Sequence, residues 1–127
     1  MKRNIILLSV MLLLTPVAKA QTVKHLAPQE FERALTEKKG AALVDVRTAE
    51  EYAQGHLTNA VMIDYYSSDF KTKAAKLDKG KPVFLYCKAG SRSNAAANIL
   101  LEMGFKEVYD LTGGITAWKQ SNKPVVK

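Results

Sequence analysis

Residues 82–104 read "PVFLYCKAGSRSNAAANILLEMG". Five residues of apolar, strand-forming character from Pro82 to Tyr86 end at Cys87, the only cysteine of the 127-residue chain. A short loop with two cations, Lys88 and Arg92, follows. A segment of helical period then puts Ala95, Ile99 and Met103 on one face with Leu100 beside them, and Gly104 closes it. A strand that runs into a loop and then a helix is the unit from which parallel sheets are built, and it places the loop at the carboxyl end of its strand.

The rest of the chain repeats that alternation. Short runs rich in Val, Leu and Ile at 22–26, 41–46, 60–64 and 107–111 join 82–87 as five candidate strands. Between them lie "PQEFERALTEKK", with Pro28 at a helix start and Gly40 beyond its end, and "TAEEYAQG", where Thr48 and Glu51 form a capping box. The lysine-rich stretch 67–79 is helical only in part, and "GGITAWKQ" forms a short final helix. The expectation is an α/β domain with a mostly parallel five-stranded sheet and helices on both faces.

The opening "MKRNIILLSVMLLLTPVAKAQ" sets Lys2 and Arg3 before an apolar run from Ile5 to Leu14, then Pro16 and the small residues Ala18 and Ala20. That is the order of a secretory signal peptide, with cleavage expected after Ala20. The apolar run falls short of the ~20 residues that a membrane span needs. The expected organisation is a signal peptide at 1–20 and one domain at 21–127, exported to the periplasm of a Gram-negative source, with no stable membrane association after cleavage. Loss of Lys2, Arg3 and Lys19 takes the net charge from +7 to +4. The remaining excess is scattered over lysine-rich loops and helix faces, which argues against a nucleic-acid partner. A compact domain of this size is expected to be a monomer.

Export sharpens the meaning of Cys87. Exported proteins hold most cysteines in disulfides, and this one has no partner in its own chain. It is therefore structural and buried, paired with another chain, or reactive. The absence of a second cysteine argues against a self-contained dithiol oxidoreductase.

The loop Cys87–Arg92, "CKAGSR", favours the reactive alternative. Gly90 permits backbone angles that let several N–H groups of the loop point inward at one spot, and the following helix contributes its positive end. The result is an anion cradle around the sulfur, a field that favours thiolate over thiol. Lys88 and Arg92 add charge, and Arg92 can grip an oxyanion through two parallel N–H bonds. A thiolate facing a bound anion is a site for covalent catalysis.

Three stretches resemble the single-domain rhodaneses, or sulfurtransferases. "LVDVRTAEEYAQGHLTNA" is similar to the family's D-V-R…E-[FY]…G-H-I-P-G-A segment through Asp45, Arg47, Glu51, Tyr52, Gly55, His56 and Ala60. "YCKAGSRS" resembles the active-site loop C-R-x-G-x-R-S, and "LTGGITAW" the closing G-G-x-x-x-W at Gly113, Gly114 and Trp118. Lys88 replaces a frequent arginine. Thr58 and Asn59 replace a Pro-Gly turn, which Asn can serve by tolerating a left-handed conformation. The resemblance implies a rhodanese-like fold and a catalytic Cys87 that takes sulfur from an anionic donor such as thiosulfate as a persulfide and passes it to cyanide or a thiol. Lys88, Ala89, Gly90, Ser91 and Arg92 would bind the donor. No metal or organic cofactor is required.

Asp45, Arg47, Glu51 and His56 read as structural support of that site. Asp45, near a strand end, can accept bonds from loop backbone. Arg47 and Glu51, four apart, are expected to form a local ion pair. His56 reads as a packed, hydrogen-bonded imidazole, while Trp118, Tyr65 and Tyr66 read as core or pocket wall. His25 and His56 are too isolated for a metal site, and the sequence has no Cys/His ligand cluster.

Two rival readings share the cradle. A cysteine-dependent phosphatase or arsenate reductase would suit it, but the tyrosine phosphatases place one residue more between cysteine and arginine than the four found here. The shorter ring suits sulfur better than a phosphate's oxygens. A persulfide carrier or binding module without turnover is the other rival, and retention of Cys87, Gly90 and Arg92 favours chemistry over binding alone.

Overall fold

In the computed structural model, residues 2, 6, 9–14 and 21–127 are described. The expected cleavage point after Ala20 and much of the apolar opening segment lie outside those residues. Among the described residues no helix is long and apolar enough to cross a membrane.

Ten elements alternate along the chain: β1 (Lys24–Leu26), α1 (Pro28–Glu37), β2 (Ala42–Asp45), α2 (Ala49–Ala53), β3 (Val61–Met62), α3 (Phe70–Ala74), β4 (Val83–Tyr86), α4 (Ser91–Glu102), β5 (Val108–Leu111) and α5 (Gly114–Gln120). The strands form one sheet in the order β1-β5-β4-β2-β3, and every pairing is parallel. The rhodanese-like α/β fold, with helices on both faces of a five-stranded parallel sheet, is the one expected.

β4 is central and every residue in it is buried, so its continuous apolar run is what a doubly covered strand requires. Alternation along it builds two cores. Val83, Leu85 and Cys87 join Val44, Val46 and Val108 on one face, under Phe70, Ala96, Ala97 and Leu100 of α3 and α4. Phe84 and Tyr86 point the other way, to a cluster with Phe31 of α1 and with Ile115 and Trp118 of α5. In that second core Phe84 stacks on Tyr109 at 4.4 Å and takes the edge of Phe31 at 5.3 Å. Such aromatic pairs add about 0.5–1.5 kcal/mol each beyond area burial.

The stripe that α4 buries differs from the expected one. Ser93, Ala96, Ala97 and Leu100 face the sheet, while Ala95, Ile99 and Met103 lie only partly buried at its margin. Small side chains on the inner face let α4 lie close to the strands, which leaves the larger ones to flank the contact. In the turn before β3, Asn59 adopts φ +68°, the left-handed conformation expected of it where a Pro-Gly turn is usual.

Candidate active site

Cys87 follows the last residue of β4, and its side chain is buried. Burial alone would fit a structural thiol. The sulfur, however, is the target of donors: the Gly90 N–H points at Sγ from 3.1 Å and the Ser93 hydroxyl lies 3.4 Å away. The one hydroxyl proton of Ser93 is shared between that sulfur and the Gly90 carbonyl at 3.2 Å. A neutral thiol is a weak acceptor, so converging donors suit a charged sulfur.

The loop holds that shape because two other segments brace it. Gly90, at φ +122°, takes a backbone conformation that L side chains rarely adopt. From the opposite side α5 donates to the loop: Ile115 N–H bonds the Cys87 carbonyl at 2.9 Å and Thr116 N–H the Lys88 carbonyl at 3.1 Å. In a planar trans peptide the N–H lies opposite the C=O, so these bonds turn the Lys88 and Ala89 N–H groups away from α5. Gly114 makes the contact possible. A Cβ there would lie 2.4 Å from the Lys88 oxygen and 2.5 Å from the Cys87 oxygen. The Gly-Gly pair is thus a docking point for the Cys87 loop. Its sequence signal is the glycine pair itself, which marks close backbone approach.

The charged residues are brought together differently from the expected local pairing. Arg47 is buried and pairs with Asp45, through Nε at 3.0 and 3.1 Å and Nη2 at 2.7 Å, and Nη2 also donates to the Gly55 carbonyl at 2.7 Å. Asp45 also accepts the Arg47 backbone N–H at 2.9 Å, the loop-capping role expected of it. Glu51 pairs instead with Arg92. Nη1 and Nη2 of Arg92 donate to its two oxygens at 2.7 and 2.9 Å, and the guanidinium lies 5.5 Å from the Tyr66 ring centroid. A carboxylate of matching fork geometry lies within reach of Arg92 in the fold, whereas Arg47 is already engaged by Asp45 through Nε and Nη2.

Glu51 therefore serves two ends. It closes the capping box of α2 with Thr48 and anchors the first turn of α4. The Arg92 hydrogen bonds, assisted by those from Thr48, hold its carboxyl down from the usual 4.5 to about 2 against a smaller opposing effect of burial. Glu51 in turn raises the pKa of Arg92. The arginine expected to grip a donor is thus a strut between α2 and α4, and the loop's N–H groups remain as the free donors of the cradle.

The other expected residues have the following places. Lys88, Ala89 and Ser91 are exposed around the loop. His56 stacks on Tyr52 at 3.7 Å, and its Nδ1 lies 3.0 Å from the Tyr52 carbonyl, a packed imidazole as expected. Trp118 is core, Tyr65 packs at the core's edge, and Tyr66 forms the exposed wall beside Arg92. Among the described residues no cluster of His, Cys, Asp or Glu could hold a metal. Sequence reasoning gave Ser93 no role, although it is the last position of the quoted loop motif and a hydroxyl in the first turn of α4. It also missed the pairing of His25 with the buried Asp110, at 2.9 Å across β1 and β5.

A family model described as a rhodanese-like domain matches residues 27–121. The chain is 37% identical over 97 residues to the thiosulfate sulfurtransferase GlpE of Coxiella burnetii, across 76% of this chain and 85% of that protein. It is 43% identical over 98 residues to a tRNA uridine(34) hydroxylase of Cytophaga hutchinsonii, across 75% of this chain but 31% of that protein. The chain thus spans about a third of the hydroxylase's length. A crystal structure of a rhodanese-related protein from Thermoplasma volcanium matches with a TM-score of 0.70 at 28% identity, covering 81% of this chain and 97% of that one. The cysteine loop braced by a glycine pair, the parallel sheet and these likenesses agree: the chain belongs to the rhodanese-like domain family.

Proposed function

We propose that the chain is a sulfurtransferase that carries sulfane sulfur on Cys87. The observation that carries the reading is the convergence of the Gly90 N–H and the Ser93 hydroxyl on Sγ at the mouth of β4. The Cys87 thiolate attacks the outer sulfur of a donor such as thiosulfate. A Cys–S–S bond forms, the donor's S–S bond breaks, and sulfite leaves with the electron pair. Persulfide formation moves the reactive sulfur about 2 Å outward from the buried Sγ, toward the loop's mouth. Its negative charge meets the loop N–H groups, which are already oriented by α5 and need no reorganisation. Cyanide or a thiolate then takes the outer sulfur, a double displacement that requires ping-pong kinetics.

Arg92 contributes by holding the loop and α4 against α2, and Lys88 by drawing anions toward the loop. Asp45, Arg47 and His56 stabilise the segment that carries Glu51. The mechanism uses no cofactor, and the domain works as a monomer on small anionic donors and thiophilic acceptors. The charged, apolar and small-residue order of residues 2–20 supports export, with residues 21–127 acting in the periplasm of a Gram-negative cell. The similarity to a thiosulfate sulfurtransferase over 85% of that protein's length supports this reading more directly than the hydroxylase likeness, which is confined to a third of that protein.

Intact-protein mass spectrometry tests the reading. Brief exposure to thiosulfate is expected to add about 32 Da at Cys87, and cyanide to remove it, as covalent catalysis requires. Failure of reduced Cys87 to gain that mass from thiosulfate would refute it as the sulfur donor.

A further inference from the structure

A buried acid that the transfer itself does not use stands deeper in the sheet than the sulfur. Asp110 of β5 pairs in register with Leu85 of β4, two residues before Cys87. Strand alternation from Val108 puts its side chain on the face that carries Leu85 and Cys87, under α4. Asp110 is 3% exposed. Its Oδ2 meets the half-exposed His25 at 2.9 Å, while Oδ1 is buried with no hydrogen-bond partner among the described residues. Ser93 stands between this acid and the sulfur. Burial raises the Asp110 carboxyl above its usual range, and hydrogen bonding from Ser93, then from His25, pulls it back. The single hydroxyl proton of Ser93 is already shared between Sγ at 3.4 Å and the Gly90 carbonyl at 3.2 Å, which leaves Oδ1 unsatisfied.

The other charges near the sulfur are placed differently. Lys88 and Arg92 belong to the loop and the first turn of α4, and Arg92 holds Glu51. Asp45 and Arg47 pair with each other, Arg47 beside the Tyr86 ring of the opposite core. Asp110 is left as an acid with no guanidinium partner, one hydroxyl away from Sγ. An amide at this position would hold His25 equally well without the cost of a buried charge, so packing gives no reason for the acid. Its electrostatics do. A thiolate at Sγ and a carboxylate at Asp110 are like charges that disfavour each other. In the loading step the bond from Sγ to the donor's outer sulfur forms, the donor's S–S bond breaks, and sulfite leaves with the electron pair. The negative charge left on the protein then sits on the outer sulfur, about 2 Å farther from Asp110, and no proton moves. We infer that Asp110 is a positioning residue that, across Ser93, drives negative charge outward from Sγ and biases Cys87 toward its sulfur-loaded state.

The inference rests on the sulfurtransferase reading, and two readouts separate them. Mass spectrometry of the full chain, equilibrated at neutral pH in fixed mixtures of thiosulfate and sulfite, gives the ratio of loaded to free Cys87. Asp110→Asn is expected to lower that ratio about threefold, the scale of a like charge moved about 2 Å farther away across one hydroxyl. The second readout needs no sulfur donor: the pH dependence of Cys87 alkylation by iodoacetamide. Its midpoint is expected to fall by about one pH unit in Asp110→Asn, because the thiolate no longer faces a carboxylate. His25→Lys, at a half-exposed position, sets a permanent cation against Oδ2 and is expected to move both readouts the same way, which decides the matter if Asp110→Asn fails to fold. An unchanged ratio in a variant that folds and loads, or an unchanged midpoint, would overturn the inference. If thiosulfate loads neither wild type nor variant, the sulfur-transfer reading has failed. The alkylation midpoint then judges Asp110 alone: a fall keeps its hold on the sulfur, and no change disposes of it.

Discussion

Arg92 in the first turn of α4 and Glu51 in α2 are 41 residues apart in sequence and joined by two parallel hydrogen bonds of 2.7 and 2.9 Å. The pair fastens the helix that follows the cysteine loop to the segment that follows β2. Glu51→Gln keeps an oxygen for the capping box, and removes the charge together with one of the two oxygens that accept from Arg92. The folded carboxyl titrates at about 2 instead of 4.5, so its contribution is complete above about 4.5 and is lost as pH falls toward 2. Denaturant titrations are expected to show the variant about 1 kcal/mol less stable at pH 7, a figure kept small because the pair is partly solvated. The difference from wild type should close by pH 2; a constant gap across that range would mean that the ion pair is not its source.

Cys87→Ser should abolish sulfur transfer and the thiosulfate-dependent mass gain. The hydroxyl can accept the same Gly90 and Ser93 donors, so stability is expected to fall by only about 1 kcal/mol. Steady-state assays with thiosulfate and cyanide check the first point and thermal melts the second. Retained turnover would remove the covalent mechanism.

Gly114→Ala tests the brace. The added Cβ would meet two carbonyl oxygens at 2.4–2.5 Å, at a residue with φ +59°, so either α5 or the cysteine loop must move. A loss of about 2–4 kcal/mol is expected, on the scale of overpacking combined with backbone strain. In protein that remains folded, sulfur transfer should fall by more than tenfold. Near-normal activity in a folded variant would show that the α5 bonds to the Cys87 and Lys88 carbonyls do not shape the cradle.

Asp110 supplies a prediction of opposite sign. Its Oδ2 meets His25, while Oδ1 is buried with no partner among the described residues, and burial raises its pKa above the usual 3.8. Folding therefore favours the protonated acid. That preference is fully expressed below 3.8 and is lost as pH rises through the raised value, leaving a penalty at neutrality. Asp110→Asn keeps an acceptor for His25 and removes the charge. At pH 7 it should gain about 1 kcal/mol, or about 4–8 °C in melting temperature for a domain of this size, as read by calorimetry. A lower melting temperature would show that the charged pair with His25 outweighs the burial.

Local pattern was enough for much of this molecule. The all-buried run of β4, the capping box at Thr48 and Glu51, the left-handed Asn59 and the glycine at position 90 are each dictated by the properties of a few adjacent residues. Strand–loop–helix succession then placed Cys87 at a carboxyl end of the sheet, where a cradle of N–H groups can form. Those features depend on backbone angles and hydrophobic period, which a sequence displays directly.

Partner choice among charges does not have that property. Arg47 and Glu51 have the spacing of a helical ion pair, yet Arg47 turns back to Asp45 and Glu51 reaches Arg92 on another helix. The second carbonyl brace, Thr116 to Lys88, and the juxtaposition of Lys88 with Lys119 likewise arise only when α5 docks beside β4. Sequence alone thus determined the sheet, the cysteine loop and the place of Cys87 at its start, because these follow from local propensity and period. Only the tertiary structure decided which carboxylate each arginine holds, because those outcomes depend on distances between elements far apart along the chain.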